Sequence, residues 1–225
     1  MYKPMPTAAK PTFNTRSVSV ISPVLSPEPS LLHCLESYLV NDPLEILLIT
    51  RVSHEANLKA ALGGAWFDTT KVRIIIADDS MPGMRGQIAT GFLQARGAIT
   101  AKVDSHVLWG PSYLANLLPC FEDPTVGTAT GAFSTRIAPY RQNRDSITPA
   151  EVSSTRAVFG SLRTAKVDAF AAYCWRWIVC GASYLVRTAP VQRPAFTQAF
   201  LYDVWYGPFG RHTRLDTGDD TFLSR

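Results

Sequence analysis

Short runs of apolar, largely β-branched residues recur along this chain, and helical segments separate them. Residues 17–24, 44–50, 72–77, 99–103, 126–133 and 179–186 each read as a strand. Residues 30–41 place Leu31, Leu32, Leu35 and Leu39 at helical spacing behind a serine cap. Residues 54–62, 84–96, 110–121 and 151–177 read as further helices, and 196–206 as one rich in aromatics. Several strands are continuous apolar runs, as expected where both faces are buried. A largely parallel sheet covered by helices on both faces is the fold that satisfies this pattern. In such a sheet ligands gather at the carboxyl ends of the strands. Pro23, Thr50, Asp78, Asp79 and Asp104 all fall there.

The chain has 225 residues, enough for one large α/β domain, and 46% of them are hydrophobic, enough for a sizeable core. Its net charge of +4 is too weak to argue for nucleic acid. The four cysteines, Cys34, Cys120, Cys174 and Cys180, form no Cys-x-x-Cys pair and no zinc spacing. Reduced thiols and a domain facing the cytosol are the expectation. Residues 1–16 read as a disordered leader without the apolar block of a signal peptide, and 17–225 as the domain. The most apolar long stretch, 165–186, is interrupted by Lys166, Asp168 and Arg176, so no membrane helix is expected. Residues 134–150 are polar and read as an excursion from the sheet.

Two acidic motifs carry chemistry. Asp104 and His106 lie two apart at the end of an apolar run. On extended backbone both point to one side, where an oxygen and a nitrogen ligand suit Mn2+ or Mg2+ bridging a diphosphate. The plainer alternative is that Asp104 caps the next helix and His106 packs beside Trp109. Asp219 and Asp220 follow Gly218, where a helix could begin. A helix dipole favours ionised carboxylates there, and one such group in a cleft can take a proton from a hydroxyl; the plainer alternative is an ordinary helix start with two capping acids. Arg85 and Gln87 begin another helix, a ready place for an anion, or Arg85 is a plain solvated arginine. Asp78 and Asp79 also read as plain turn residues. No Gly-x-Gly-x-x-Gly follows the first strand, which argues against a dinucleotide-dependent oxidoreductase.

Taken in order, these motifs resemble glycosyltransferase family 2 with the GT-A fold, a mixed and mostly parallel sheet flanked by helices. They are most similar to the fungal polysaccharide-synthase branch related to hyaluronan, chitin and cellulose synthases. The resemblance rests on Val103-Asp104-Ser105-His106-Val107-Leu108-Trp109-Gly110-Pro111, on Phe121-Glu122-Asp123-Pro124, on Cys180-Gly181-Ala182-Ser183 with Arg187, and on Gly218-Asp219-Asp220-Thr221-Phe222-Leu223-Ser224-Arg225. It implies an inverting transfer of sugar from a UDP-sugar donor to a glycan acceptor in polysaccharide synthesis. Asp104 and His106 would hold the metal, and Asp220, beside Asp219, would be the base. Pro23, Arg85 and Asp104 would meet the donor, and Cys180, Gly181 and Ser183 the acceptor. Four positions depart from the pattern: Ser105 replaces an acid, Met84 a basic residue, and Thr50-Arg51 an acidic pair. The family's Gln-x-x-Arg-Trp motif and its membrane helices do not appear before Arg225, so a truncated catalytic domain is expected. The alternative is a relative that binds nucleotide or glycan without turnover.

Overall fold

A computed structural model of the chain describes residues 8–81, 83–131, 137, 143, 145–156, 181–206, 212–214 and 222–223. The chain forms two compact units. One comprises residues 1–4 with 131–177, the other 5–130 with 178–225.

The larger unit holds a six-stranded sheet. Its strands are β1 (Val18–Pro23), β2 (Glu45–Thr50), β3 (Val72–Ile76), β4 (Ile99–Val103), β5 (Thr128–Ala129) and β6 (Ser183–Arg187). They are ordered β3-β2-β1-β4-β6-β5. The first four run parallel. β6 runs antiparallel to both β4 and β5. Three helices link the parallel strands: α1 (Leu31–Leu39), α2 (Glu55–Gly63) and α3 (Gly83–Gln94). After β4 comes α4 (Tyr113–Leu117), and after β6 come α6 (Thr188–Val191) and α7 (Pro194–Leu201). A small antiparallel pair, β7 (Val204–Tyr206) and β8 (His212–Arg214), follows. In the smaller unit residues 149–156 form a helix, α5. Thr148 and Glu151 cap its start reciprocally, the Thr148 N–H and hydroxyl each donating to Glu151 Oε2 at 2.8 Å.

The alternation of each strand divides the core into two layers. Val18, Val20, Ile46, Leu48, Ile99, Ala101, Val103 and Leu185 pack toward Leu35 and Tyr38 of α1, Leu58 of α2 and Leu114 of α4. Ile21, Leu47, Ile49, Tyr184 and Val186 pack toward Ile88 and Phe92 of α3 and Phe200 of α7. Burying one such side chain contributes about 1.5–3 kcal/mol, so both faces must be covered and the continuous apolar runs follow. Gly97 enters β4 where a Cβ would stand 2.6 Å from Ser17 O and Ser19 N. Only glycine lets the backbone approach β1 this closely.

Several local expectations change. Thr12 to Arg16 belong to the folded unit, not to a disordered leader: the Thr12 N–H and hydroxyl donate to Glu122 at 2.8 Å, Phe13 packs on the core and Asn14 caps a short 3-10 turn. Ser30 makes no side-chain cap bond to α1, because it already has helical dihedrals in a turn from Glu28. The helix expected over 110–121 shortens to α4 and a 3-10 segment, Leu118–Glu122, tightened at Pro119. The aromatic helix expected over 196–206 stops at Leu201, since Val204–Tyr206 pairs with β8 instead. Of the helix expected over 151–177, residues 151–156 are helical, and the rest of that range lies outside the described residues. Cys34 is buried and Cys120 half-buried, both free thiols, and burial pushes Cys34 up to about 11. Among the described residues no helix is long and apolar enough to cross a membrane.

Candidate active site

The strand order reverses direction between β1 and β4, since β2 and β3 build outward on one side and β4 and β6 on the other. Such a switch point opens a crevice at the carboxyl ends of the strands. Ile21 stands opposite Lys102, which brings Pro23 and Asp104 level on neighbouring strands at that crevice. Thr50 ends the adjacent strand β2, and Asp79 lies within the loop after β3. Asp78 shapes that loop, accepting the Ser80 N–H at 2.8 Å, and Asp79 pairs with Arg51 at 3.2 Å.

Asp104 continues the ladder by one bond, its N–H donating to Ala182 O at 3.0 Å. The chain then turns, with Val107 N–H donating to Asp104 O at 3.1 Å. Asp104 and His106 therefore do not alternate along extended backbone, and Asp104 does not cap a helix, because α4 begins only at Tyr113. The Asp104 side chain keeps 23% of its surface exposed, while one oxygen pairs with Lys102 Nζ at 2.7 Å. His106 is 58% exposed, and its Nδ1 lies 3.9 Å from Glu28 Oε1.

The turn is held rigidly from two sides. The Tyr38 hydroxyl of α1 donates to Val107 O at 2.6 Å and lies 3.0 Å from Asp104 O. Burial, with Cys34 and Asp104 nearby, pushes that phenol well above its usual value, so it stays a donor. Trp109 tilts against Tyr38 and stacks on Tyr113, each at 4.7 Å. Asn41 bridges Gly110 O and Leu114 N–H. From the other side Ser183 Oγ accepts Trp109 Nε1–H at 3.0 Å and the Tyr113 hydroxyl at 2.9 Å. Ser183, expected to face an acceptor, is thus a buried joint between β6 and this loop. Preorganised loops of this kind hold a reacting group in place without further ordering on binding.

Arg85 is only 6% exposed. Its guanidinium donates to Phe200 O at 2.8 Å, pairs with Asp203 at 3.4 Å and lies over the rings of Phe200 and Phe222. The arginine expected at a diphosphate instead ties α3 to α7. Gly181 accepts from Lys102 through its carbonyl at 2.6 Å. Cys180, Asp219 and Asp220 lie outside the described residues. Phe222, two residues after Asp220, packs against Phe200 at 5.3 Å and Phe196 at 5.7 Å.

The sequence reading missed Lys102, Tyr38, Asn41 and Glu28. For Lys102 a signal existed: a lysine inside an apolar strand, two residues before an aspartate and so on its face. Tyr38 of α1 and Asn41 just after it carried none, because their partners lie about seventy positions away.

Some known proteins resemble the chain in sequence, and others in fold. An NDP-glycosyltransferase, ltbB, of Aspergillus luteorubrus is 29% identical across 99% of this chain and 53% of its own length. A type 2 glycosyltransferase of Gibberella zeae is 30% identical across 100% of this chain and 40% of its own. The chain thus spans about half the length, or less, of these curated relatives. Among solved structures, a mannosyltransferase of Pyrobaculum calidifontis in complex with GDP-Man and Mn2+ superposes with a TM-score of 0.52, at 18% identity over 82% of this chain and 48% of that one. That likeness establishes the mixed, mostly parallel GT-A architecture. With the model of glycosyltransferase-like family 2 matching residues 16–225, nearly all of the sequence, the chain belongs to that family of transferases.

Proposed function

We propose that the chain transfers a sugar from a UDP-sugar to a glycan acceptor, with inversion at the anomeric carbon, as in polysaccharide synthesis. One observation carries the reading: Asp104 stands level with Pro23 at the switch point of the sheet, on a turn that Tyr38 and Ser183 hold in place. The family and the name of the Aspergillus relative support a nucleotide-sugar donor.

A divalent metal fits the donor chemistry. Asp104 offers a carboxylate oxygen and His106 an imidazole, with the Glu28 carboxylate beside His106. Among the described residues no group of three or more such ligands gathers, so a diphosphate would have to complete the shell. Asp104 and His106 would hold Mn2+ or Mg2+, whose charge offsets that of the departing nucleoside diphosphate. The chain's own residues do the rest. Pro23 walls the crevice beside Asp104. Arg85 acts on the donor side by fixing the start of α3. Cys180 and Gly181 would border the acceptor, and Ser183 sets the neighbouring loop from beneath. Asp220, supported by Asp219, takes the proton from the attacking hydroxyl.

A second reading is a domain that binds nucleotide without turnover. The Lys102 ammonium on Asp104 and the serine at position 105 favour it. One experiment separates the two: titration of UDP with Mn2+, then UDP release from UDP-glucose, UDP-N-acetylglucosamine and UDP-glucuronate with a panel of sugar acceptors. Acceptor-dependent release that disappears in Asp220→Asn supports transfer. Binding lost in Asp104→Ala but with no release supports the binder. No UDP binding at all removes both.

A further inference from the structure

Lys102 is buried in the middle of the sheet, 1% exposed, on the face that carries Tyr184. Burying an ammonium costs several kcal/mol unless it is paired and hydrogen-bonded. Its Nζ meets Asp104 Oδ1 at 2.7 Å and Gly181 O at 2.6 Å and lies 5.8 Å from the centre of the Tyr184 ring. These contacts join the end of β4 to the turn before β6. They also place a fixed positive charge on the Asp104 carboxylate, which stands at the switch point.

We propose that Lys102 is a built-in cation that competes with a divalent metal for Asp104, keeping the ion's affinity low until an anionic diphosphate enters the crevice. The inference rests on the reading of Asp104 as the metal-binding carboxylate. An ion ligated by that carboxylate must stand close to the ammonium, and like charges at such range repel strongly where water is scarce. The buried lysine cannot swing away, since its stem is enclosed by the sheet and its head is bonded to Gly181 O. Asp104 is the more exposed partner and retains a second oxygen. A metal alone therefore meets a neutralised pair instead of a bare carboxylate. A diphosphate brings negative charge that attracts both cations, so nucleotide and metal bind cooperatively. Lys102 is a positioning residue here, acting through Asp104.

The test measures Mn2+ affinity of the whole chain by electron paramagnetic resonance of the free ion, without nucleotide. Lys102→Met and Lys102→Gln should bind Mn2+ roughly tenfold more tightly than the wild type, or better, since even one unit of like charge at short range is worth that much. Lys102→Gln retains a donor for Asp104 and Gly181 O and covers the case in which Lys102→Met does not fold. Lys102→Arg keeps the charge and should stay weak. Adding Asp104→Asn to Lys102→Gln should abolish the gain. Unchanged or weaker binding in the neutral variants, equal tightening in Lys102→Arg, or no Mn2+ binding by any form overturns the proposal. Tightened Mn2+ binding in a chain that takes up neither UDP nor GDP would uphold the competition of Lys102 for Asp104, but overturn the part played by the diphosphate and remove the sugar-transfer reading.

Discussion

The two ends of the central sheet carry the same chemical motif, a carboxylate paired with a cation, and use it in opposite ways. At the amino end Glu45 is almost wholly buried. It accepts from the Ser19 hydroxyl at 2.8 Å, from the Arg96 N–H and guanidinium at 3.1 and 3.0 Å, and from Arg73 at 3.0 Å. The donors satisfy both oxygens, and the network stitches β1, β2, β3 and the entry to β4. At the carboxyl end Asp104 has one oxygen on Lys102 and part of its surface open. Saturated hydrogen bonding turns a buried charge into a fastener. A carboxylate left partly unsatisfied, on a rigid turn, remains available to a ligand. Two orphan hydroxyls, Ser22 Oγ and Thr50 Oγ1, sit at the same carboxyl end, buried without a hydrogen-bond partner. No orphan of that kind occurs at the amino end among the described residues.

The sharpest way to break this comparison is Asp104→Asn. It should cost metal-dependent nucleotide binding and any transfer about 100-fold or more, and it should also lower the melting temperature, because the buried Lys102 ammonium loses its charged partner. Isothermal titration with UDP and Mn2+, run beside a thermal melt, checks both. A large loss of stability with unchanged affinity would make the carboxyl end another fastener.

Glu45→Gln should cost stability alone. It removes the charge that three groups share, and should lower unfolding free energy by about 2–3 kcal/mol in urea denaturation, with nucleotide affinity intact. The pH dependence sharpens the same point. Burial opposes the charge on Glu45, but hydrogen bonds from Arg96 and Ser19 outweigh it and hold the group below its ordinary value. A carboxylate with a depressed value in the fold contributes stability that is fully present above the unfolded value, about 4.3. That contribution drains away as pH falls through the depressed value. Wild type should therefore lose stability more steeply than Glu45→Gln below about pH 4.5, and parallel curves would refute the assignment.

The smallest expected effect is at Thr50. Replacing its unpaired buried hydroxyl by the isosteric Thr50→Val should leave stability unchanged or raise it by up to about 1 kcal/mol. A loss larger than that would mean that the hydroxyl has a partner in solution, and the contrast between the two ends would narrow.

Much of this was legible in the residues. The runs around Val20, Leu48 and Ala101 had to be central strands, because nothing else buries a continuous apolar segment on both sides. The place of Asp104 at a strand end followed from the same reading, and so did the turn role of Asp78. The extended alternation of Asp104 with His106 did not survive, since the chain turns where Val107 bonds back to Asp104 O. Asp219 and Asp220, on which the catalytic base rests, lie outside the described residues.

What the sequence by itself determined is what depends on neighbours along the chain: the central strands, the faces of each, the parallel class of the sheet and the place of Asp104 at a strand's end. Local periodicity encodes burial, and burial selects those features. What only the tertiary structure decided is who meets whom. Lys102 is joined to Gly181 across 79 positions, Tyr38 to Val107 across 69 and Arg85 to Phe200 across 115. Those pairings follow from strand order and from which helix covers which face, and no spacing within a short window carries that information. The same arginine that could have faced a diphosphate became a strut because α7 packs over it, and the same lysine that could have been surface charge became Asp104's partner because β6 closes the sheet beside it.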